Sequence, residues 1–179
     1  AQTGVFDPNA SYNYVLMYLN SMQDPGLVMR SVHRLIRQVP QTVMNGFVDR
    51  AKEFFDVEVL NGQGRDSAEV RGAFLKTIRE GADQGVMGVV VHDDRALYVL
   101  RIKKGMMDRV FGEAIPPSLK QLDVTIATKL VLHKILGIDE TVLDDENSIK
   151  YTSRSPKAFE AIDTGKCDMA LILNPTRLS

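Results

Sequence analysis

The sequence predicts an α+β domain, in which helices pack against a mixed, mainly antiparallel sheet. Three observations lead there. Short apolar runs alternate along the chain with segments whose apolar residues recur at three- and four-residue spacing. Two of the runs, Val86–Val91 and Ala96–Lys103, flank His92-Asp93-Asp94-Arg95, a hairpin signal. The segment Ser118–Leu136 carries two apolar stripes, Leu119/Leu122/Ile126/Leu130 and Val124/Ala127/Val131/Ile135. A helix apolar on two sides is largely buried. A hairpin among interleaved helices argues against a clean doubly wound parallel sheet. The expected inventory is about six strands and four helices.

Residues 1–11 form a polar tail marked by Gly4 and Pro8, and residues 12–176 read as a single α+β domain. Tyr12–Leu19 is aromatic and apolar with little polarity, which predicts a strand buried on both faces. Asp24-Pro25-Gly26 is a turn, and Val32–Ile36 is a short strand. Pro40 opens a helix, where its missing N–H costs nothing. Its apolar face runs through Val43, Met44, Phe47, Val48, Ala51, Phe54 and Phe55. Val57, Val59 and Leu60 form a strand. Asp66 and Glu69 stand at capping-box spacing before a helix that Gly85 closes. Gly105–Ile115 has no clear period and ends at Pro116-Pro117. Ser118 and Gln121 form a second capping box, and Gly137 caps the long helix. Ile149–Tyr151 is a short strand. Ser155-Pro156 starts a last helix that ends at Gly165, and Met169–Leu173 is the final strand.

Lys and Arg total 22 against 23 Asp and Glu, a net charge of −1. Nucleic-acid binders usually carry a clustered basic excess, so no nucleic-acid partner is expected. There is no Trp, and aromatics are only 7%, so no base-stacking platform is indicated. No stretch approaches the ~20 apolar residues of a membrane span. The single cysteine, Cys167, precedes an apolar strand and reads as a buried, inert thiol. One cysteine makes no internal disulfide, which fits a reducing, cytosolic compartment. Ala1–Asn9 has neither the basic nor the apolar region of a signal peptide. It reads as a linker from the middle of a longer protein.

Several phrases together resemble a bacterial family known as domain of unknown function ten-fifteen. They are Tyr12-Asn13-Tyr14-Val15-Leu16-Met17-Tyr18-Leu19, Asp24-Pro25-Gly26-Leu27 and Val32-His33-Arg34-Leu35, followed by Leu122-Asp123-Val124 and Leu173-Asn174-Pro175-Thr176. The resemblance spans nearly all of the chain and implies the C-terminal portion of the family. Family members carry an Ala-Asp-Gly-His-His-Arg phrase upstream, similar to the signature of ParB-like folds that include free-serine kinases. This chain has only His33, His92 and His133, with no His-His pair. The resemblance therefore implies a partner in the missing N-terminal half of the same protein.

His33-Arg34 is the first candidate site. His can act as acid or base or hydrogen-bond an anion. Arg offers a planar fork to carboxylate or phosphate. Neighbours on a strand face opposite sides, so one pocket receives at most one of them. The plain alternative is a packed His and an Arg paired with a carboxylate. Asp123 lies in the first turns of the long helix, where the dipole alone favours an acid by ~0.3–1 kcal/mol. Functionally, it would orient His33 or Arg34 or meet a substrate amine. Asn174 and Thr176 follow a strand and present hydrogen-bonding groups at its end, unless they simply form an Asx-type turn. The expected substrate-binding set is thus His33, Arg34, Asp123, Asn174 and Thr176, with no catalytic residue, metal ligand or cofactor assigned. Gly62-Gln63-Gly64 lacks the ending of a phosphate loop. His92-Asp93-Asp94 reads as a turn, not a metal site, and Asp144-Asp145-Glu146 as a solvated acidic loop.

Two functions follow as expectations. The first is the C-terminal portion of a serine-kinase-like cytosolic phosphotransferase, contributing to a site for a small anionic or amino-acid ligand. The second is a non-catalytic module that binds a metabolite or stabilises the other half.

Overall fold

A computed structural model describes residues 15–17, 19, 21, 24, 26, 28–60, 68–93, 95–139, 142, 145 and 147–176. Among the described residues, six strands form one sheet: β1 (His33–Ile36), β2 (Phe55–Val59), β3 (Val86–Val91), β4 (Leu97–Ile102), β5 (Ile149–Thr152) and β6 (Met169–Ile172). Their order is β2-β4-β3-β6-β1-β5, and every neighbouring pair is antiparallel. The fold is therefore a mixed α/β architecture on an antiparallel sheet. Helices cover both faces, which explains why β3 is buried at every position and reads as an unbroken apolar run.

On one face lie α3 (Ala68–Glu80) and α7 (Ser155–Asp163). Phe74 and Ile78 of α3 and Phe159 and Ile162 of α7 pack with Val86, Val90, Ala170 and Ile172 of the sheet. Phe74 meets Phe159 edge-on, with ring centroids 6.2 Å apart. Gly88 makes this layer possible. A Cβ there would collide with the Phe74 ring and with Cδ1 of Ile78, so α3 sits on bare backbone.

The other face carries α1 (Gln41–Asn45), α2 (Phe47–Phe54), α4 (Met106–Phe111), α5 (Pro117–Lys120) and α6 (Asp123–Ile126). α6 continues as a π-helix over Ala127–Ile135. Ile126, Ala127, Leu130, Val131 and Ile135 are buried against the sheet. The wide winding is visible at its end, where Leu136 donates to the Val131 carbonyl at 2.9 Å. Gly137 (φ 70°) then reverses the chain, as its position after the apolar stripes predicts.

Three expectations about elements are corrected. The helix over Ser118–Leu136 is not continuous. Leu122 is extended, so the chain re-enters helix at Asp123 and the Ser118/Gln121 capping box does not form. The helix opened by Pro40 is broken at Gly46, and Phe55 belongs to β2. The buried strand over Tyr12–Leu19 is absent at the positions described. Val15, Leu16, Met17 and Leu19 are outside any strand and exposed, while Tyr12, Asn13, Tyr14 and Tyr18 lie outside the described residues. So do Asp66, the Gly62-Gln63-Gly64 loop, Asp94, Asp144 and Glu146.

Candidate functional site

The two consecutive residues of β1 face different layers. Ile36 and Arg34 point to the π-helix side, Leu35 and His33 to the α3/α7 side.

Arg34 is 9% exposed. Its Nη2 donates to Thr128 Oγ1 at 2.8 Å and, at 3.4 Å, to the Val124 carbonyl. Thr128 Oγ1 in turn donates to that same carbonyl at 2.7 Å. Nε and Nη1 are buried and have no hydrogen-bond partner among the described residues. No carboxylate pairs with Arg34 among the described residues. Burial pushes the guanidinium below the ordinary arginine range. The Tyr151 phenol, its cross-strand partner on β5, acts in the opposite direction. Arg34 lines a cleft of about 420 Å³ whose walls are largely apolar, including Ile115, Pro116, Leu119 and Val124. Thr125, Thr128 and Lys129 add polar groups.

His33 is 4% exposed and accepts a hydrogen bond at Nδ1 from the Leu173 backbone N–H at 3.2 Å. That bond places the proton of the neutral ring on Nε2. Burial lowers the His33 pKa from its ordinary value, which favours the neutral ring. The ring lines a cavity of about 220 Å³ that Asn174 also lines.

Asn174 is a clamp. Its side-chain amide donates to the Ile78 carbonyl (3.1 Å), the Val86 carbonyl (2.9 Å) and Asp123 Oδ2 (3.2 Å). It thus ties the end of α3, the start of β3 and the start of α6 to the end of β6. Asp123 and Thr176 line a neighbouring cavity of about 320 Å³. Of the five residues expected to bind substrate, His33 and Asn174 share one cavity, and Asp123 and Thr176 share the next, joined to the first by the Asn174 amide. Arg34 stands apart, across the sheet. Strand alternation separates it from His33, while the antiparallel ladder brings residues 33 and 174 together.

Several cavity residues escaped the sequence reading: Thr128 and Lys129 beside Arg34, and Arg79, Ser153 and Ser155 beside His33. Ser155 was visible only as the expected cap of α7. In the structure Arg154 takes that position, and Ser155 is the first helical residue. A further cavity, about 630 Å³ beside β4 and α4, mixes Asp56, Asp83 and Asp108 with Arg101, Lys103 and Lys120. All of these but Asp56 are engaged. Lys120 binds Asp108, Arg101 binds Gln84, and Lys103 binds the Lys52 carbonyl.

A family profile described as "Protein of unknown function (DUF1015)" matches residues 1–125, more than half of the 179-residue chain. The chain belongs to this family. The match corrects the expectation of a C-terminal portion. It covers the N-terminal and central part of this sequence, including β1–β4, His33, Arg34 and Asp123, and leaves Asn174 and Thr176 outside. No curated protein and no solved structure matches the chain. No helix among the described residues is long and apolar enough to cross a membrane.

Proposed function

We propose that this domain binds a small organic anion with an apolar body in the Arg34 cleft. One observation carries the reading: Arg34 is a buried cation that lines this cleft and whose Nε and Nη1 have no acceptor among the described residues. A buried charge without a counter-ion costs several kcal/mol in order-of-magnitude terms, and an entering carboxylate or phosphate ester would offset that. The apolar walls would take the rest of the ligand, and a cleft of about 420 Å³ lies within the ordinary range for small-molecule sites. This keeps the anionic-ligand site of the first sequence-based expectation and the metabolite binding of the second. Binding alone is proposed, without phosphoryl transfer. A cytosolic setting belongs to the same reading. It is supported by the free, buried Cys167, whose thiol burial pushes up to about 12.

The test is calorimetric titration with phenylacetate, phosphoserine and inorganic phosphate, paired with thermal unfolding. Phenylacetate should bind saturably. Arg34→Lys should weaken it about tenfold, because a point charge cannot reproduce the planar fork. Arg34→Met should abolish it while leaving the ligand-free domain equally or more stable, by up to roughly a few kcal/mol. Loss of stability in Arg34→Met with unchanged binding would make Arg34 a structural tie to Thr128 and nothing more.

A further inference from the structure

On the opposite face of the sheet, the donors around His33 converge on a single small cavity. With Nδ1 held as an acceptor by the Leu173 N–H, the neutral ring presents Nε2–H, and no residue among those described accepts from it. The cavity is also lined by Arg79, Ser31, Ser153 and Ser155. Arg79, in the last turn of α3, has no ion-pair or hydrogen-bond partner among the described residues. Ser155 is the first residue of α7, a nine-residue helix whose N-cap Arg154 makes no side-chain cap. The N–H of Ser155 is one of the donors that a helix start leaves without an intrahelical acceptor. Pro156 has no N–H to offer, so Ser155 supplies the first. Among the described residues, no Asp or Glu lines the cavity.

We propose that this cavity is a second, independent anion site that takes a phosphoryl group, as free phosphate or as a phosphate monoester. A phosphoryl group offers only acceptor oxygens, and the wall offers an imidazole N–H, a guanidinium, a helix-start N–H and adaptable serine hydroxyls. A helix N-terminus favours such a charge through its dipole and its open N–H groups. The volume of about 220 Å³ suits a compact head group rather than the bulkier ligand of the Arg34 cleft. The sheet separates the two sites, so one molecule does not occupy both.

The experiment is an amide-resolved NMR titration of the ¹⁵N-labelled chain with inorganic phosphate and, separately, phosphoserine. Each is taken to about 10 mM, past the millimolar range of a weak specific site. Saturable shifts are expected at the amides of Ser155 and Leu173. A response to both probes assigns the phosphoryl group itself; a response to phosphoserine alone assigns the monoester. Arg79→Ala, a change at an exposed side chain, should weaken the response about tenfold. His33→Gln should weaken it as well, and Arg34→Met should leave it unchanged. Silent Ser155 and Leu173 amides would overturn the proposal, as would equal shifts in Arg79→Ala. Shifts confined to Thr128 and Lys129 would also overturn it, while supporting the Arg34 cleft.

Discussion

His33 shows how a single side chain is set by its surroundings. Burial holds its pKa below the ordinary 6.5, so the unfolded chain takes up a proton before the folded one does. Stability then rises with pH wherever the unfolded state binds more protons. The His33 contribution is whole above about 6.5, declines as pH falls through 6.5, and is fully lost below the lowered folded pKa. His33→Gln should therefore flatten the fall in melting temperature between about pH 7.5 and 5.5. An unchanged slope would mean that another group governs it. The chemistry of this residue was legible in the sequence, and so was the opposite facing of His33 and Arg34, since strand alternation is local. Its partner was not. The bond from Leu173 crosses 140 positions and exists only because β6 lies beside β1.

Among the elements, those with a strong local period were the readable ones. β3, β4, α3 and α7 stand close to where spacing put them, because each buries a face that its own sequence declares. The long helix was misread for a physical reason. Its stripes continue smoothly through Leu122, but the backbone there is extended, and a period in side chains does not report a break in the main chain. Nor does it distinguish α from π winding, and Thr128, the partner of Arg34, lies in the π-wound stretch. The contact between α3 and β3 yields a sharper test. Gly88→Ala inserts a methyl into the space of the Phe74 ring and Ile78, and should cost ~1–3 kcal/mol in urea unfolding. Adding Phe74→Leu should recover part of that loss, because the two changes share one space. If Gly88→Ala proves neutral, α3 has room to shift and the layer is looser than its burial indicates.

For the whole molecule, the strand order governs what can fold alone. β2, β4 and β3 are neighbours, but β1 touches none of them; its neighbours are β6 and β5. The span matched by the family profile thus contains β1 without either strand that holds it. A chain of residues 1–125 should show no cooperative thermal transition and poor amide dispersion, whereas the full chain should melt cooperatively and show wide amide dispersion. A cooperative melt of the short form would mean that the matched span has a core of its own. The same order sets a timetable during synthesis. The earliest of the described strands must wait for more than a hundred further residues before it can be enclosed by both neighbours, so His33 and Arg34 meet their surroundings late. Until then a growing chain exposes β1, with both neighbouring positions vacant, to any other strand that is near. The four residues His33–Ile36, with a charge set in the middle, are a short and poor template for such pairing, which is protection during the wait.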